Sequence, residues 1–407
     1  MFKCIPRFRP SLDWVSLGII LKEIFFNHTV EDKEKKIDFE KVFADYIGVH
    51  NAITVPSGRM GIYLILKNLG LKETAEVILS SFTYWAVPAV VRLINLRPVF
   101  VDIDPENCNL NVTLIEKKIT KDTKVIIPTH LYGLPCNMNV VMEVAKRHNL
   151  FVIEDCVQAT GAEYGNKRVG SIGDAAYFSF GITKNIALLG GGMVVTNDDR
   201  LAEGIRKETS DYGFLNKGQI LKKAVEAAAM KIFTSPFIYS FFLFPLIYLS
   251  NLLQRDIIDT IFYEKESLSP ELLSLYFKLV PPGIQYKVGS RIIVQNYKLN
   301  DKRVYNGTYF LKHIRTQGKM SLPSFFDKNV FTSFPIRIKK RQLVVNELLK
   351  LGIDTSRGYM KAFGEDCPNA KMLEREILHI PIYPSLKESD LGYICEVING
   401  ICKRTDL

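Results

Sequence analysis

FVIEDCVQATGAEYGNKRVGSIGDAAYFSFGITKNIALLGGGMVVT, residues 151–196, is the stretch whose reading decides the fold. Its apolar start, 151–153, reads as a short buried strand ending on Glu154 and Asp155, the end of a strand being where α/β folds place functional groups. A second apolar run, 175–180, carries Ser179, and Lys184 follows in the next loop with Gly190, Gly191 and Gly192 beyond. A carboxylate after one strand, a hydroxyl after another, a lysine and a glycine turn make a set that suits pyridoxal 5'-phosphate. That cofactor needs a lysine for its aldehyde, an acid against its pyridine nitrogen and donors for its phosphate.

Upstream, apolar segments alternate with helical ones: 52–55 then 58–69, 77–79 then 83–94, 99–103, and 124–128 then 138–148. Strands in series with helical crossovers predict an α/β fold with a mostly parallel sheet covered by helices. Pro56-Ser57-Gly58 falls where a strand turns into a helix, and a glycine there lets backbone N–H groups approach a phosphate. Arg59, next in line, either adds a contact to that phosphate or packs away from it.

The motifs ED..Q at 154–158, FSF..TK at 178–184 and the glycine turn, with VPSG near Pro56, RPVFVDID at 97–104, KVIIPTHLYG at 124–133 and HIPIYPSL at 379–386, resemble the DegT/DnrJ/StrS family of sugar aminotransferases. The resemblance implies the type I aspartate aminotransferase fold, a pyridoxal 5'-phosphate cofactor and a homodimer. It implies Lys184 as the aldehyde-binding lysine and base, and Asp155 as partner of the pyridine nitrogen. Gln158 would bond the phenolic oxygen of the ring, Tyr84 would stack on one ring face with Val157 on the other, and Ser179 would donate to the phosphate. A relative that dehydrates has histidine in place of this lysine, so Lys184 points to amino transfer. The donor implied is glutamate and the acceptor a keto sugar. GIQYKVGS, 283–290, corresponds to the family's GYNYRMS, whose asparagine reaches the partner subunit's phosphate; here Gln285 stands there. Leu189 stands where the family often has glutamate, and Arg357 and Tyr359 fall where it lines the substrate entrance.

The 407 residues carry a net charge of +10 and are 47% hydrophobic, enough for a large core in two or three domains. No zinc-finger, helix-turn-helix or stacking motif accompanies the basic excess, so it suits an anionic substrate, the cofactor or an acidic membrane surface, not nucleic acid. Seven cysteines without CxxC spacing indicate neither a metal site nor a disulfide framework, hence a reducing, cytoplasmic setting.

The chain divides into an N-terminal arm (1–48), a large cofactor-binding domain (49–213), a hydrophobic insertion (214–282), and a long helix, 292–314, with a small C-terminal α/β domain (283–407). Its strands are predicted at 330–338 and in the IPIYP run, around a helix at 341–351. Within the insertion, 232–254 runs for 23 residues without a charge. One helix of that length would reach ~35 Å, enough to cross a bilayer. Pro236 and Pro245 break it, and a single crossing would part Lys184 from the domain that closes over it. Two readings stand: a re-entrant hairpin or interfacial anchor on the cytoplasmic face, with Lys217, Lys222, Lys223 and Lys231 near anionic headgroups, or an arm in the dimer interface. An anchor would suit a lipid-linked or membrane-resident acceptor. The alternatives to this enzyme are a soluble nucleotide-4-keto-sugar aminotransferase, an epimerase or dehydratase on the same fold, and a non-catalytic regulator.

Overall fold

The computed structural model describes residues 4–26, 33–253, 278–316, 320–324 and 329–403. Seven strands make the central sheet: β1 (Asn51–Val55), β2 (Glu76–Ser80), β3 (Arg97–Val101), β4 (Thr123–Ile127), β5 (Phe151–Asp155), β6 (Ala175–Ser179) and β7 (Gly192–Thr196). Their order is β1-β7-β6-β5-β4-β2-β3. The run from β6 through β5, β4 and β2 to β3 is parallel throughout. β7 runs against both of its neighbours, so β1 points the same way as β6.

Strands buried on both faces need consecutive apolar residues, and 125–127 of β4 and 151–153 of β5 supply them. One face of the sheet packs on helices Gly58–Asn68 and Asp199–Thr209, the other on Met138–His148. The register gathers the carboxyl ends of three strands. Val55 of β1 and Ser179 of β6 both pair with Gly192, and Asp155 of β5 pairs with Tyr177 of β6. In open parallel sheets that edge is where ligands bind.

The small domain is built on strand Phe334–Ile338, which lies between Met320–Ser321 and Ile377–Ile380. Its core includes residues of helices Arg341–Lys350 and Glu388–Lys403 and the end of Gly283–His313. Asp102 ties it to the large domain by accepting from Asn369 N and Ala370 N, both at 3.0 Å, at the start of helix Pro368–Glu376.

Several boundaries differ from the sequence reading. The helix expected at 83–94 is a strand, Phe82–Tyr84, then a helix, Ala86–Leu93; the strand forms because it pairs with Met360–Ala362 of the small domain. The long helix starts at Gly283, directly after Pro282, and so includes the whole GIQYKVGS motif. The strand expected at 330–338 starts at Phe334. The IPIYP run is not itself a strand: pairing ends at Ile380, because Pro381 has no N–H for the ladder.

Gly213–Phe214 pairs in parallel with Leu279–Val280, so the chain leaves and rejoins the fold at one point. Between them lie helix Lys217–Phe233, started by an Asn216/Gln219 capping box, and helix Phe244–Leu252, preceded by the short helix Pro236–Ile238 and a π-helical turn, Tyr239–Leu243. Gln254, the end of the charge-free run, lies outside the described residues. Among the described residues no single helix is long and apolar enough to cross a membrane. Lys217–Phe233 and Pro236–Asn251 form a pair bent by 68°, broken ahead of Pro236 but not at Pro245, which lies inside helix Phe244–Leu252. The second arm cannot fold back along the first because one of its faces sits on the small domain, burying Tyr239, Phe244 and Ile247. Tyr239 Oη donates to Asp354 Oδ2 at 2.7 Å, and Arg7 grips the same carboxylate through Nε and a terminal nitrogen, each at 2.9 Å.

Candidate active site

The cradle comes first from backbone geometry. Ser57 caps helix Gly58–Asn68 by accepting from Met60 N at 3.2 Å, and the first N–H groups of a helix have no partner inside it. They open toward the ends of β6 and β7. A Cβ on Gly58 would lie 3.3 Å from Ser179 Cβ and 3.4 Å from Val157 Cγ2. A Cβ on Gly192 would meet Phe178 O, Ser57 C and Gly58 N at 2.6–2.8 Å, so only glycine lets β7 pass this close. Arg59 sits half-buried in the first turn and Ser179 half-buried at the strand end. A helix N-terminus with its first N–H groups and a hydroxyl make an anion site that fits a phosphate.

Asp155 is 95% removed from solvent, its relative exposure being 5%. Its Oδ1 accepts from Val157 N at 3.2 Å and its Oδ2 lies 3.5 Å from Thr129 Oγ1. Burial raises its carboxyl above the ordinary range, and the Val157 N–H and the charge of Lys184 offset this only in part. A cationic ring nitrogen is the partner this carboxylate lacks. Gln158 is buried too: its Oε1 accepts from Tyr132 N at 3.0 Å, while its Nε2 faces the weak acceptor Met360 Sδ at 3.7 Å. That donor fits a phenolic oxygen.

Lys184 stands in a turn closed by its own N–H to Gly181 O at 2.9 Å. Its Nζ bonds Tyr359 Oη at 3.0 Å and lies 5.0 Å from the centre of the Tyr359 ring. Tyr359 packs edge-on against Tyr84, with centroids 5.7 Å apart, and Tyr84 pairs with Met360. The small domain therefore delivers an aromatic hydroxyl to the lysine. Removing it by Tyr359→Phe is expected to lower amino transfer roughly tenfold while the circular dichroism spectrum stays unchanged.

Two predicted residues are placed differently from the others. Gln285 is buried, and its Nε2 donates to Gly190 O of its own chain at 2.6 Å while its Oε1 has no partner among the described residues. Arg357 is exposed and donates to Gln342 on helix Arg341–Lys350; the structure does not bring it to Lys184.

Sequence reasoning missed the part played by Glu154 and His130. Both are fully buried, with His130 Nε2 and Glu154 Oε2 3.0 Å apart. Cys136 N donates to His130 Nδ1 at 2.9 Å, which assigns the ring proton to Nε2. Glu154 also accepts from Gly170 N, Ile172 N and Gly173 N at 2.7–2.9 Å. Burial opposes its charge, but the His130 donor and these N–H groups overcome that and hold its carboxyl below the ordinary range. His130, Glu154 and Cys156 lie close enough to suggest a metal, yet four donors already occupy the carboxylate. Their role is to fasten the 170–173 turn beneath β5. Because the folded pKa is lowered, this stability is present above the unfolded value near ~4.3 and is lost as pH falls through the folded value. Glu154→Ala strands four buried donors and is expected to cost about 3–5 kcal/mol at pH 7, read by urea unfolding, and less in acid.

Residues 21–232 match the model of the DegT/DnrJ/EryC1/StrS aminotransferase family. A dTDP-3-amino-3,6-dideoxy-alpha-D-galactopyranose transaminase from Aneurinibacillus thermoaerophilus is 30% identical over 375 residues, covering 89% of this chain and 88% of its own. GDP-perosamine synthase of Caulobacter vibrioides is 47% identical over 170 residues, 42% of this chain and 46% of its own. Among solved structures, S. venezuelae DesV in complex with a ketimine intermediate superposes with a TM-score of 0.76 at 25% identity, covering 99% of this chain and all of that one.

Proposed function

Since this chain belongs to the DegT/DnrJ/EryC1/StrS aminotransferase family, and is a pyridoxal phosphate-dependent sugar aminotransferase, we propose that it moves the amino group of glutamate onto a keto sugar. The observation that carries this reading is the convergence of Asp155, Lys184 and the Gly58/Ser179 cradle at the carboxyl ends of β1, β5 and β6. In it, the N–H groups at Gly58 and Arg59 and the Ser179 hydroxyl hold the phosphate. Asp155 holds a proton on the ring nitrogen, Gln158 Nε2 donates to the phenolic oxygen, and Tyr84 and Val157 confine the ring. The bound cofactor supplies an electron sink for the substrate carbon that loses its proton. Lys184 carries that proton, with Tyr359 Oη positioning its amine. The enzyme works as a homodimer, with Gln285 beside the glycine turn that flanks the cradle.

We further place it on the cytoplasmic face of a membrane through the insertion, acting on a lipid-linked or other membrane-resident keto sugar. Support comes from the exposed apolar residues of 232–253. The test is an absorbance spectrum of the purified protein in mild detergent. A band near ~420 nm that shifts toward ~330 nm on adding glutamate is expected. A band indifferent to glutamate removes the donor, and no band after supplying the cofactor removes the site assignment. Lipid fractions and nucleotide-linked keto sugars are then compared as acceptors; turnover of the soluble sugar alone, unchanged by deleting 232–254, defeats the membrane placement.

A further inference from the structure

The second arm of the insertion carries apolar residues on both of its faces. Tyr239, Phe244 and Ile247 are buried on the small domain, while Phe242, Leu246 and Leu249, spaced as one helical stripe, are 56–62% exposed. A helix apolar on both faces needs an apolar neighbour on each. The exposed patch also extends beyond the insertion. Trp14 and Val15, which open helix Trp14–Phe26, are 52% and 57% exposed, and Lys231 Nζ lies 5.8 Å from the Trp14 ring, just before exposed Ile232 and Phe233. Arg7 and Tyr239 share Asp354, which locks the N-terminal segment and the insertion into one body.

Charge selects the occupant of this face. Residues 217–253 contain Lys217, Lys222, Lys223 and Lys231 against the single acid Glu226, on a chain of net charge +10. A second copy would bring like charges together, whereas anionic headgroups attract them. A tryptophan and a lysine beside aliphatic and phenylalanine side chains suit the boundary between headgroups and acyl chains.

We infer that helix Trp14–Phe26 and the bent pair 217–253 form one docking face for an anionic lipid surface, lying in the headgroup layer without crossing it. This rests on the membrane placement proposed above and not on the amino-transfer chemistry. The second arm is fixed on the small domain, which carries Tyr359, and helices Trp14–Phe26 and Lys217–Phe233 pack on the large domain, which carries Lys184, so seating the face on lipid holds the active site at a constant height above the bilayer.

The experiment is cosedimentation of the full-length holoenzyme with vesicles of phosphatidylcholine alone or with added phosphatidylglycerol. Binding to the anionic vesicles is expected, weakening with salt. Phe242→Ser/Leu246→Ser/Leu249→Ser is expected to weaken it at least about a hundredfold, Lys222→Gln roughly fivefold, and Trp14→Ala/Val15→Ala about tenfold or more. The substituted side chains are exposed, so an unchanged cofactor spectrum certifies each fold, and Lys222→Gln still tests the idea if the triple variant misfolds. Equal binding to neutral vesicles, or indifference to the Trp14/Val15 change, overturns this face while leaving a membrane placement standing. No vesicle binding at all, or self-association that the triple variant abolishes, overturns both. None of these outcomes alters the glutamate-dependent spectrum, which tests the chemistry separately.

Discussion

Lys184→Ala is expected to lower amino transfer from glutamate by at least about 10⁴-fold, because one amine serves as both the covalent anchor for the cofactor and the proton carrier. The fold should survive. Lys184 is half-buried, and its amine bonds Tyr359 at the site and not the core. The loop is held independently by Leu188 N to Phe180 O at 3.0 Å and Asn185 Nδ2 to Thr160 O at 3.3 Å. Formation of 2-oxoglutarate from glutamate reads the loss, and thermal unfolding reads the fold. A variant that keeps more than a hundredth of the wild-type rate would remove Lys184 from the centre of the site. Comparing it with Tyr359→Phe separates the two roles, since the tyrosine only positions the amine.

For Asp155→Asn, activity and stability should move in opposite directions. Activity falls by about 10²–10⁴-fold, because an amide does not hold a proton on the ring nitrogen. The cofactor-free protein, in contrast, should gain about 1 kcal/mol at pH 7, of the order found when a site residue under functional constraint is relieved. The sign follows from burial. The Asp155 carboxyl is raised in the fold, so its contribution to stability is present below the unfolded pKa near ~3.9 and is lost as pH rises through the folded value. At neutral pH the cofactor-free chain therefore bears the cost of burying this carboxyl, which the asparagine relieves. The gain should fade in acid and reverse once cofactor is supplied. Paired melting curves with and without pyridoxal 5'-phosphate, at pH 7 and below pH ~4, check all three signs. A loss of stability in the cofactor-free state would show Asp155 to be a structural carboxylate.

The same physics explains why Glu154 and Asp155, adjacent in sequence, act so differently. Alternation along β5 turns Glu154 away from the site and into four hydrogen-bond donors, while Asp155 ends the strand at the site with few. The residue types alone do not separate them. Which of two neighbouring carboxylates is the fastener and which the functional group follows from the donors that a turn at 170–173 brings back to the strand.

Much of the fold was legible because local rules dictate it. Helix Met138–His148 has the bounds that the sequence predicts, and the apolar runs before Asp155 and Ser179 become β5 and β6. A strand and its terminal residues are encoded within a few neighbours, so the sequence determined by itself the α/β class, the glycine turn, Asp155, Ser179 and Lys184 as a set, and an apolar insertion broken at Pro236, though the break also expected at Pro245 does not occur. Tertiary structure alone decided what depends on partners far along the chain. Tyr359 meets Lys184 across 175 residues, and Phe82–Tyr84 becomes a strand only because Met360–Ala362 lies beside it. Trp14 joins Lys231, and one face of the insertion is buried while the other is exposed, only because the small domain and the N-terminal segment meet it in space. Such pairings bury area and satisfy donors that no local window contains, so no local pattern could announce them.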